Sequence, residues 1–268
     1  MYEEAAPPRR LAGVARCVWR SASAGPKRIV PDGCLDLVVG DGGVFVAGPD
    51  TASWSSVTRP GAVLRGVRFK PGHAPAVLGV AADELRDRRV SLGELWGRSG
   101  EELAERLLAG EVSPAGAVES RLAAVEVESE DWAVAELIEK LDAGAARVAD
   151  AAACLARGDA GPAQTGAQSR AATRLEEPSA VSERRLRRRF VQAVGYGPAT
   201  YLRVARFQRA VALAPRLSGL AALAAAAGYS DQAHLSRDCR ALTGLTPRHY
   251  FRPSSTVDPT RRDRLRSA

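Results

Sequence analysis

The feature that most constrains this 268-residue chain is an internal repeat at a single offset of 49. Leu186, Arg188, Gly195, Pro198, Tyr201 and Arg203 recur as Leu235, Arg237, Gly244, Pro247, Tyr250 and Arg252. Self-similarity at a fixed period is the mark of a repeated supersecondary unit. Two copies are too few for a solenoid, so the repeat reads as a duplicated subdomain.

The second copy is the easier to read. Leu220, Leu223, Ala224 and Ala227 lie at helical spacing, Gly228 interrupts, and a helix begins near Ser230 or Asp231 with Leu235, Cys239 and Leu242 on one face. A small residue (Ala224) where two helices cross, followed by a residue tolerant of positive φ (Gly228), is the requirement of a helix-turn-helix. Thr243 to Pro247 then reads as a helix C-cap and a Pro-initiated closing helix that turns Tyr250 and Phe251 back to the core. In the first copy Ser182 suits an N-cap, and Leu186 and Phe190 form the buried pair of the next helix. A long amphipathic helix from Thr200 to about Ala214 joins the copies and is expected to hold their recognition helices at a fixed separation.

Charge sharpens the reading. Residues 1–142 carry 17 Lys and Arg against 22 Asp and Glu, while 143–268 carry 21 against 9, so the halves stand at −5 and +12. Basic charge confined to one half fits a nucleic-acid binder with a separate sensor or partner module. The alternative is a solubilising Arg-rich surface, since all but three of the 38 basic residues are Arg. Against it stand Arg184, Arg185, Arg187, Arg188 and Arg189 on one short helix, balanced only by Glu183. Such a row repels itself unless a polyanion lies beside it, and a major groove supplies both phosphates and guanine edges.

The stretch from Ser182 to Arg203, followed by Gly228-Tyr229-Ser230-Asp231-Gln232-Ala233-His234-Leu235-Ser236-Arg237 and by Leu242 to Tyr250, resembles the DNA-binding domain of AraC-type transcriptional regulators. The resemblance extends from about residue 131 to 252. It implies two helix-turn-helix units joined by a linker helix, with recognition helices in successive major grooves about one helical turn apart. By position it puts Arg184, Arg185, Arg187 and Arg188 of the first recognition helix, and Gln232, His234, Ser236 and Arg237 of the second, at the DNA. Arg188 and Arg237 repeat between the copies and suit backbone positioning or a shared structural role; the unrepeated residues suit base readout.

Two departures from the family pattern stand out. Cys239 occupies the place of an aromatic, Phe190 in the first copy, and is expected to loosen the second unit's core. In the first unit the initial helix reads as Arg147 to Ala156, yet Ser182 lies more than twenty positions on. The polar, Gly- and Pro-containing stretch between reads as an inserted, disordered loop over 159–180. Closure entropy grows only logarithmically with loop length, so the first unit either assembles despite the insertion or is impaired by it. Residues 170–177 are a weaker source for the initial helix, because Glu176, Glu177 and Pro178 fall where the small residue and turn belong.

The acidic half reads differently. Val14–Trp19, Ile29–Val30, Cys34–Val39, Val44–Ala47 and Val63–Phe69 read as strands, separated by Pro31-Asp32-Gly33, Gly40-Asp41-Gly42-Gly43 and Gly48-Pro49-Asp50. That pattern describes a small antiparallel sheet or barrel. Helices are expected near Ala74–Gly79, Ser91–Trp96, Glu101–Ala109 and Pro114–Val127. Arg28 to Val38, Val46 to Pro49 and Phe69 to Gly72 are similar to a poorly characterised N-terminal domain common in AraC-type regulators, over roughly residues 10–97. Asp32 and Asp36 are the candidate ligand-binding pair; the competing reading makes Asp32 a turn residue and Asp36 an edge or N–H-capping carboxylate. Trp19, Trp54 and Trp96 suit the core, and His73 a loop or helix cap. A thiol sensor at Cys34 lacks a flanking base or second cysteine.

Several classes are set aside. Cys17, Cys34, Cys154 and Cys239 form no C-x-x-C pair and only three His occur, so neither a structural metal site, a disulfide framework nor a metal-dependent barrel is expected. There is no nucleophile–base constellation, and no enzyme and no cofactor are expected. No apolar run approaches the roughly 18 residues that span a bilayer, and residues 1–10 lack a signal core, so the expectation is a soluble cytoplasmic protein. The expected fold class is α+β: an N-terminal antiparallel β sheet or barrel-like domain with trailing helices (1–127), a C-terminal all-α double helix-turn-helix domain (128–252), and a disordered basic tail (253–268). The expected function is sequence-specific transcription regulation. The partner is double-stranded DNA, with RNA polymerase, a small-molecule effector and a second copy of the chain as further candidates and no membrane. The alternative is a ligand-binding or interaction module whose DNA reading the insertion has disabled.

Overall fold

The computed structural model describes residues 1–22, 25–125, 131–144 and 183–251. Cys154, Ser182, Arg252, the helix expected at Arg147–Ala156, the loop expected over 159–180 and the tail 253–268 lie outside them. The chain divides into two compact units, Met1–Ala205 and Arg206–Ala268.

Among the described residues of the first unit eight strands form: β1 (Tyr2–Ala5), β2 (Ala15–Ala22), β3 (Gly25–Ile29), β4 (Asp36–Gly40), β5 (Gly43–Ala47), β6 (Trp54–Thr58), β7 (Val63–Phe69) and β8 (Arg89–Ser91). Six make an antiparallel sheet in the order β1-β2-β7-β4-β5-β8, and β3 and β6 pair as a separate antiparallel ribbon. The antiparallel sheet expected from the alternation is therefore present. Strand alternation splits its residues between two faces. Leu37, Val39, Val44, Val46, Val67, Phe69 and Val90 point into a core shared with the helices α1 (Ala74–Leu78), α3 (Arg98–Ala109) and α4 (Pro114–Ala124). The opposite face, carrying Trp19, Asp36, Phe45 and Arg68, meets Lys27, Ile29, Trp54 and Ser56 of the ribbon around a cavity.

The short α2 (Leu92–Trp96) starts at a capping box, in which the Ser91 hydroxyl accepts from the Glu94 N–H and the Glu94 carboxylate accepts from the Ser91 N–H. Helix α4 is capped by Ser113, whose hydroxyl accepts from the Gly116 N–H. Helix α5 (Trp132–Asp142) is capped by Asp131 and buries Val134, Leu137, Ile138 and Leu141 along one stripe. Helices α1 to α4 follow the expected positions, with α3 starting three residues earlier and α4 ending at Ala124, whereas α5 was not among the expected helices.

Helix α6 (Glu183–Val194) buries Leu186, Phe190 and Val194, and Phe190 meets Tyr201 edge-on at 5.7 Å between ring centroids. Helix α7 runs from Pro198 to Leu213, and the division between the two units falls within it. In the second unit, α8 (Leu220–Ala226), α9 (Gln232–Thr243) and α10 (Pro247–Phe251) enclose a small core of Phe207, Leu223, Ala224, Leu235, Cys239 and Leu242. Gly228 has φ +85°, the conformation required between α8 and α9. The expected return of Tyr250 and Phe251 is present, with Phe207 at 5.3 and 5.9 Å from their rings. Around Cys239 the expected loosening is offset: its Sγ lies 3.4 Å from the Leu245 carbonyl and 3.7 Å from Thr243 Oγ1, so the turn after α9 closes on the smaller side chain.

Candidate nucleic-acid interface

Helix α6 separates its side chains by face. With Leu186, Phe190 and Val194 buried at i, i+4 and i+8, the intervening Arg184, Arg185, Arg187 and Arg188 are all exposed. Arg189 departs from the expected exposed row. It is half-buried and forms a two-pronged ion pair with Asp131, the residue that caps α5. A planar guanidinium suits that bidentate geometry, and one of the five like charges is neutralised within the protein. The other four guanidinium groups lie exposed on barely two helical turns.

The end of α6 is held from several directions. Gly195, with φ +95°, ends the helix by donating its N–H to the Val191 carbonyl at 2.7 Å. Its carbonyl accepts from Arg86 Nη1 at 3.2 Å, and a Cβ at this position would fall 2.3 Å from Pro49 Cγ and 3.1 Å from the Ala82 carbonyl oxygen. Tyr196 is buried, and Tyr201 donates its hydroxyl to Asp142 at 3.0 Å. The first candidate recognition helix is thus packed on the N-terminal β domain itself.

Helix α9 begins at Asp231, whose carboxylate accepts from the His234 N–H at 2.6 Å. That explains the choice between Ser230 and Asp231: the carboxylate satisfies an orphan donor of the first turn. Gln232 and Arg237 are exposed, whereas His234 and Ser236 are half-buried. Ser236 Oγ donates to the Gln232 carbonyl at 2.8 Å. The His234 ring touches Ser230 Oγ, Tyr229 and, at 3.8 Å, Asp238. On α9, then, Gln232 and Arg237 reach outward, and His234 and Ser236 also serve the helix's own start. The repeat is visible as geometry: Leu186 and Leu235 are buried, Arg188 and Arg237 exposed, and Gly195 and Gly244 end their helices at positive φ.

The other candidate pair lies in the β domain. Asp32 is a turn residue whose Oδ1 accepts from the Cys34 N–H at 3.0 Å, while its Oδ2 lies 3.2 Å from Arg68 Nη1. Asp36 is neither at an edge nor capping a backbone N–H. It stands on the inner strand β4 directly opposite Arg68 on β7, where it accepts from Arg68 Nε at 3.1 Å and Nη2 at 3.2 Å and from Trp19 Nε1 at 2.8 Å. Burial pushes its carboxyl up to about 6; Arg68 opposes the rise and Asp32 adds to it. Arg68 was not singled out in the sequence, where one Arg in an alternating strand reads as solvent-facing. The signal was Gly66 two residues earlier on the same face, over which the Trp19 indole lies. Cys34 is buried and its thiol is raised by that burial, the opposite of a reactive thiolate. Trp96 is half-buried, its N–H donating to the Leu78 carbonyl, and His73 sits at the N-cap position of α1. Among the described residues no cluster of His, Cys, Asp or Glu is arranged to hold a metal ion, and no helix is long and apolar enough to cross a membrane.

Residues 177–253 match the family model described as a helix-turn-helix domain, and residues 3–91 match a domain of unknown function (DUF6597). No curated protein matches the chain. Among solved structures, ToxT from Vibrio cholerae O395 aligns over 87% of this chain and 95% of its own, at 11% identity and a TM-score of 0.40. ToxT bound to (E)-4-(8-methylnaphthalen-1-yl)but-3-enoic acid aligns over 87% and 96%, at 11% identity and 0.43. With the helix-turn-helix match lying on α6 to α10, the chain carries an AraC-type helix-turn-helix domain behind an N-terminal DUF6597 domain.

Proposed function

We propose that this chain is a sequence-specific DNA-binding transcription regulator in which α6 and α9 are the two recognition helices. In this reading the N-terminal domain (1–127) modulates a double helix-turn-helix domain (128–252). The observation that carries it is the exposed Arg184, Arg185, Arg187 and Arg188 on a helix whose other face is buried, within the matched helix-turn-helix domain. Arg184 and Arg187 read bases, Arg188 and Arg237 fix the backbone register, and Gln232 reads a base from the start of α9. Arg185 neutralises phosphate. His234 and Ser236 support the first turn of α9 and lie close enough to its N-terminus to contact phosphate.

Replacing Arg187 with Ala is expected to cost about 1–3 kcal/mol on the preferred duplex and to relax preference at one position. Replacing Arg188 with Ala is expected to weaken all duplexes alike and to lower the salt dependence by about one charge. Fluorescence anisotropy across a salt series separates these outcomes. Unchanged binding of both variants would remove α6 from the interface.

A further inference from the structure

The face of the main sheet turned away from the core closes with the β3–β6 ribbon on a cavity of about 120 Å³. That is close to the size of an apolar cavity that accepts one benzene ring. Trp19 and Phe45 from the sheet, and the cross-strand partners Ile29 and Trp54 from the ribbon, give it apolar walls on both sides. We propose that the cavity is a binding site for a neutral, single-ring organic molecule whose hydrogen-bond acceptor takes the indole N–H of Trp54.

The polar groups of the wall argue for that class. Asp32 and Asp36 are not left to a ligand, because the Arg68 guanidinium fills the place between them, at 3.2 and 3.1 Å. Arg68 also meets Glu4 at 3.5 Å, and Asp50 pairs with Arg89 at 2.8 Å. Lys27 donates to Ser21 Oγ at 2.6 Å, and Arg16 joins the cluster through Cys34, whose Sγ lies 3.8 Å from its Nη1. Four carboxylates thus stand against four cations. A bound molecule with a net charge of either sign would lose its hydration with no counter-charge to receive it. Among the described residues that line the cavity, Trp54 Nε1 is the one buried side-chain nitrogen or oxygen without a hydrogen-bond partner. Buried donors of this kind are ordinarily satisfied, so the wall calls for one acceptor. A buried water needs roughly two to four polar partners, whereas a ring bearing a carbonyl, ether or nitrile uses the single donor and also packs on the apolar walls.

The cavity shares two turns with the seat of α6. Asp32 and Cys34 line the cavity, and Gly33 between them faces the other way, where a Cβ would fall 3.0 Å from Tyr201 Cε2 and 3.7 Å from Tyr196 Oη. Gly48 and Asp50 line it as well, and Pro49 between them abuts Gly195 at the end of α6. A bound molecule that shifts either turn therefore shifts the backbone on which the residues following α6 rest. This coupling, unlike the binding itself, rests on the reading of α6 as a DNA-contacting helix.

The test is calorimetry on the full chain with four single-ring probes: benzonitrile, neutral with one acceptor; toluene, neutral with none; benzoate; and benzylamine, which is protonated at neutral pH. Benzonitrile is expected to bind about tenfold or more tightly than either charged probe. Trp54→Phe removes the N–H while keeping a ring, and is expected to lower the affinity ratio of benzonitrile to toluene about three- to tenfold. Val38→Phe, which fills the cavity without altering its charges, is expected to abolish binding of both neutral probes. Circular dichroism of each variant reports whether the fold is retained. No binding of either neutral probe at millimolar concentration, a charged probe that binds as tightly as benzonitrile, or an affinity ratio unchanged by Trp54→Phe overturns the proposal. A duplex titration with and without benzonitrile then reads the coupling: a changed affinity supports it, and an unchanged one refutes it while the calorimetry stands. Failure to bind any DNA would defeat the regulator reading alone.

Discussion

At the scale of single residues, burial and partner decide what a charge does. Arg189 and Arg188 are neighbours in a run of five Arg, yet one is paired with Asp131 and the other is exposed. Sequence periodicity correctly separated Leu186 and Phe190 from the Arg row but could not reveal Asp131, which lies 58 positions away. Asp36 shows the same limit: as a residue type it was a candidate, but its partner Arg68 becomes evident only from the β4–β7 register. Because burial raises the Asp36 carboxyl to about 6, the folded protein holds a proton there that the unfolded chain releases near pH 4. This group's contribution to stability is therefore most favourable below about pH 4 and is lost as pH rises through about 6. In urea titrations the wild type should gain stability relative to Asp36→Asn as pH falls from 7 to about 4. A difference that stays flat across that window would contradict the assignment.

At the scale of elements, the best-read segments were those with one buried face. Strand β7 was anticipated at its actual bounds, and β4 and β5 nearly so, because Val and Leu alternate there with residues of the other face. Three strands leave no clear alternation in the sequence for a common reason: little of them enters the core. Tyr2–Ala5 is wholly exposed along an edge, Trp54–Thr58 alternates about two Ser, and Arg89–Ser91 is three residues long. The helix ends of the repeat were legible because their chemistry is local. Asp231→Ala removes the acceptor for the His234 N–H and should cost about 0.5–2 kcal/mol in chemical denaturation. The two repeated glycines should respond unequally to Ala. Both have positive φ, which costs a residue with a Cβ roughly 1–2 kcal/mol. Gly195 adds a clash with Pro49 and should cost on the order of 1–3 kcal/mol more, whereas Gly244 is exposed. Equal unfolding midpoints for Gly195→Ala and Gly244→Ala would show that α6 is not held against the β domain as described.

At the scale of the whole molecule, the charge division between the halves and the fixed-offset repeat make a DNA-binding C-terminal half legible in the sequence. What they could not convey is that α6 belongs to the same compact unit as the β domain, while α8 to α10 form the other. The intimate fit of Gly195, Tyr196 and Tyr201 depends on side chains contributed by Arg86, Pro49 and Asp142, none of which forms a motif with them in the sequence. The central claim is that one chain reads DNA with both copies of its repeat. Selection from fragmented genomic DNA by the purified full chain, at near-physiological salt and with a variant lacking Asp159–Glu177 in parallel, tests it most directly. The account predicts an enriched motif in two parts whose centres lie about 10–10.5 base pairs apart, recovered by the wild type. A single short half-site extended only by the deletion variant, or no enriched motif, would contradict it.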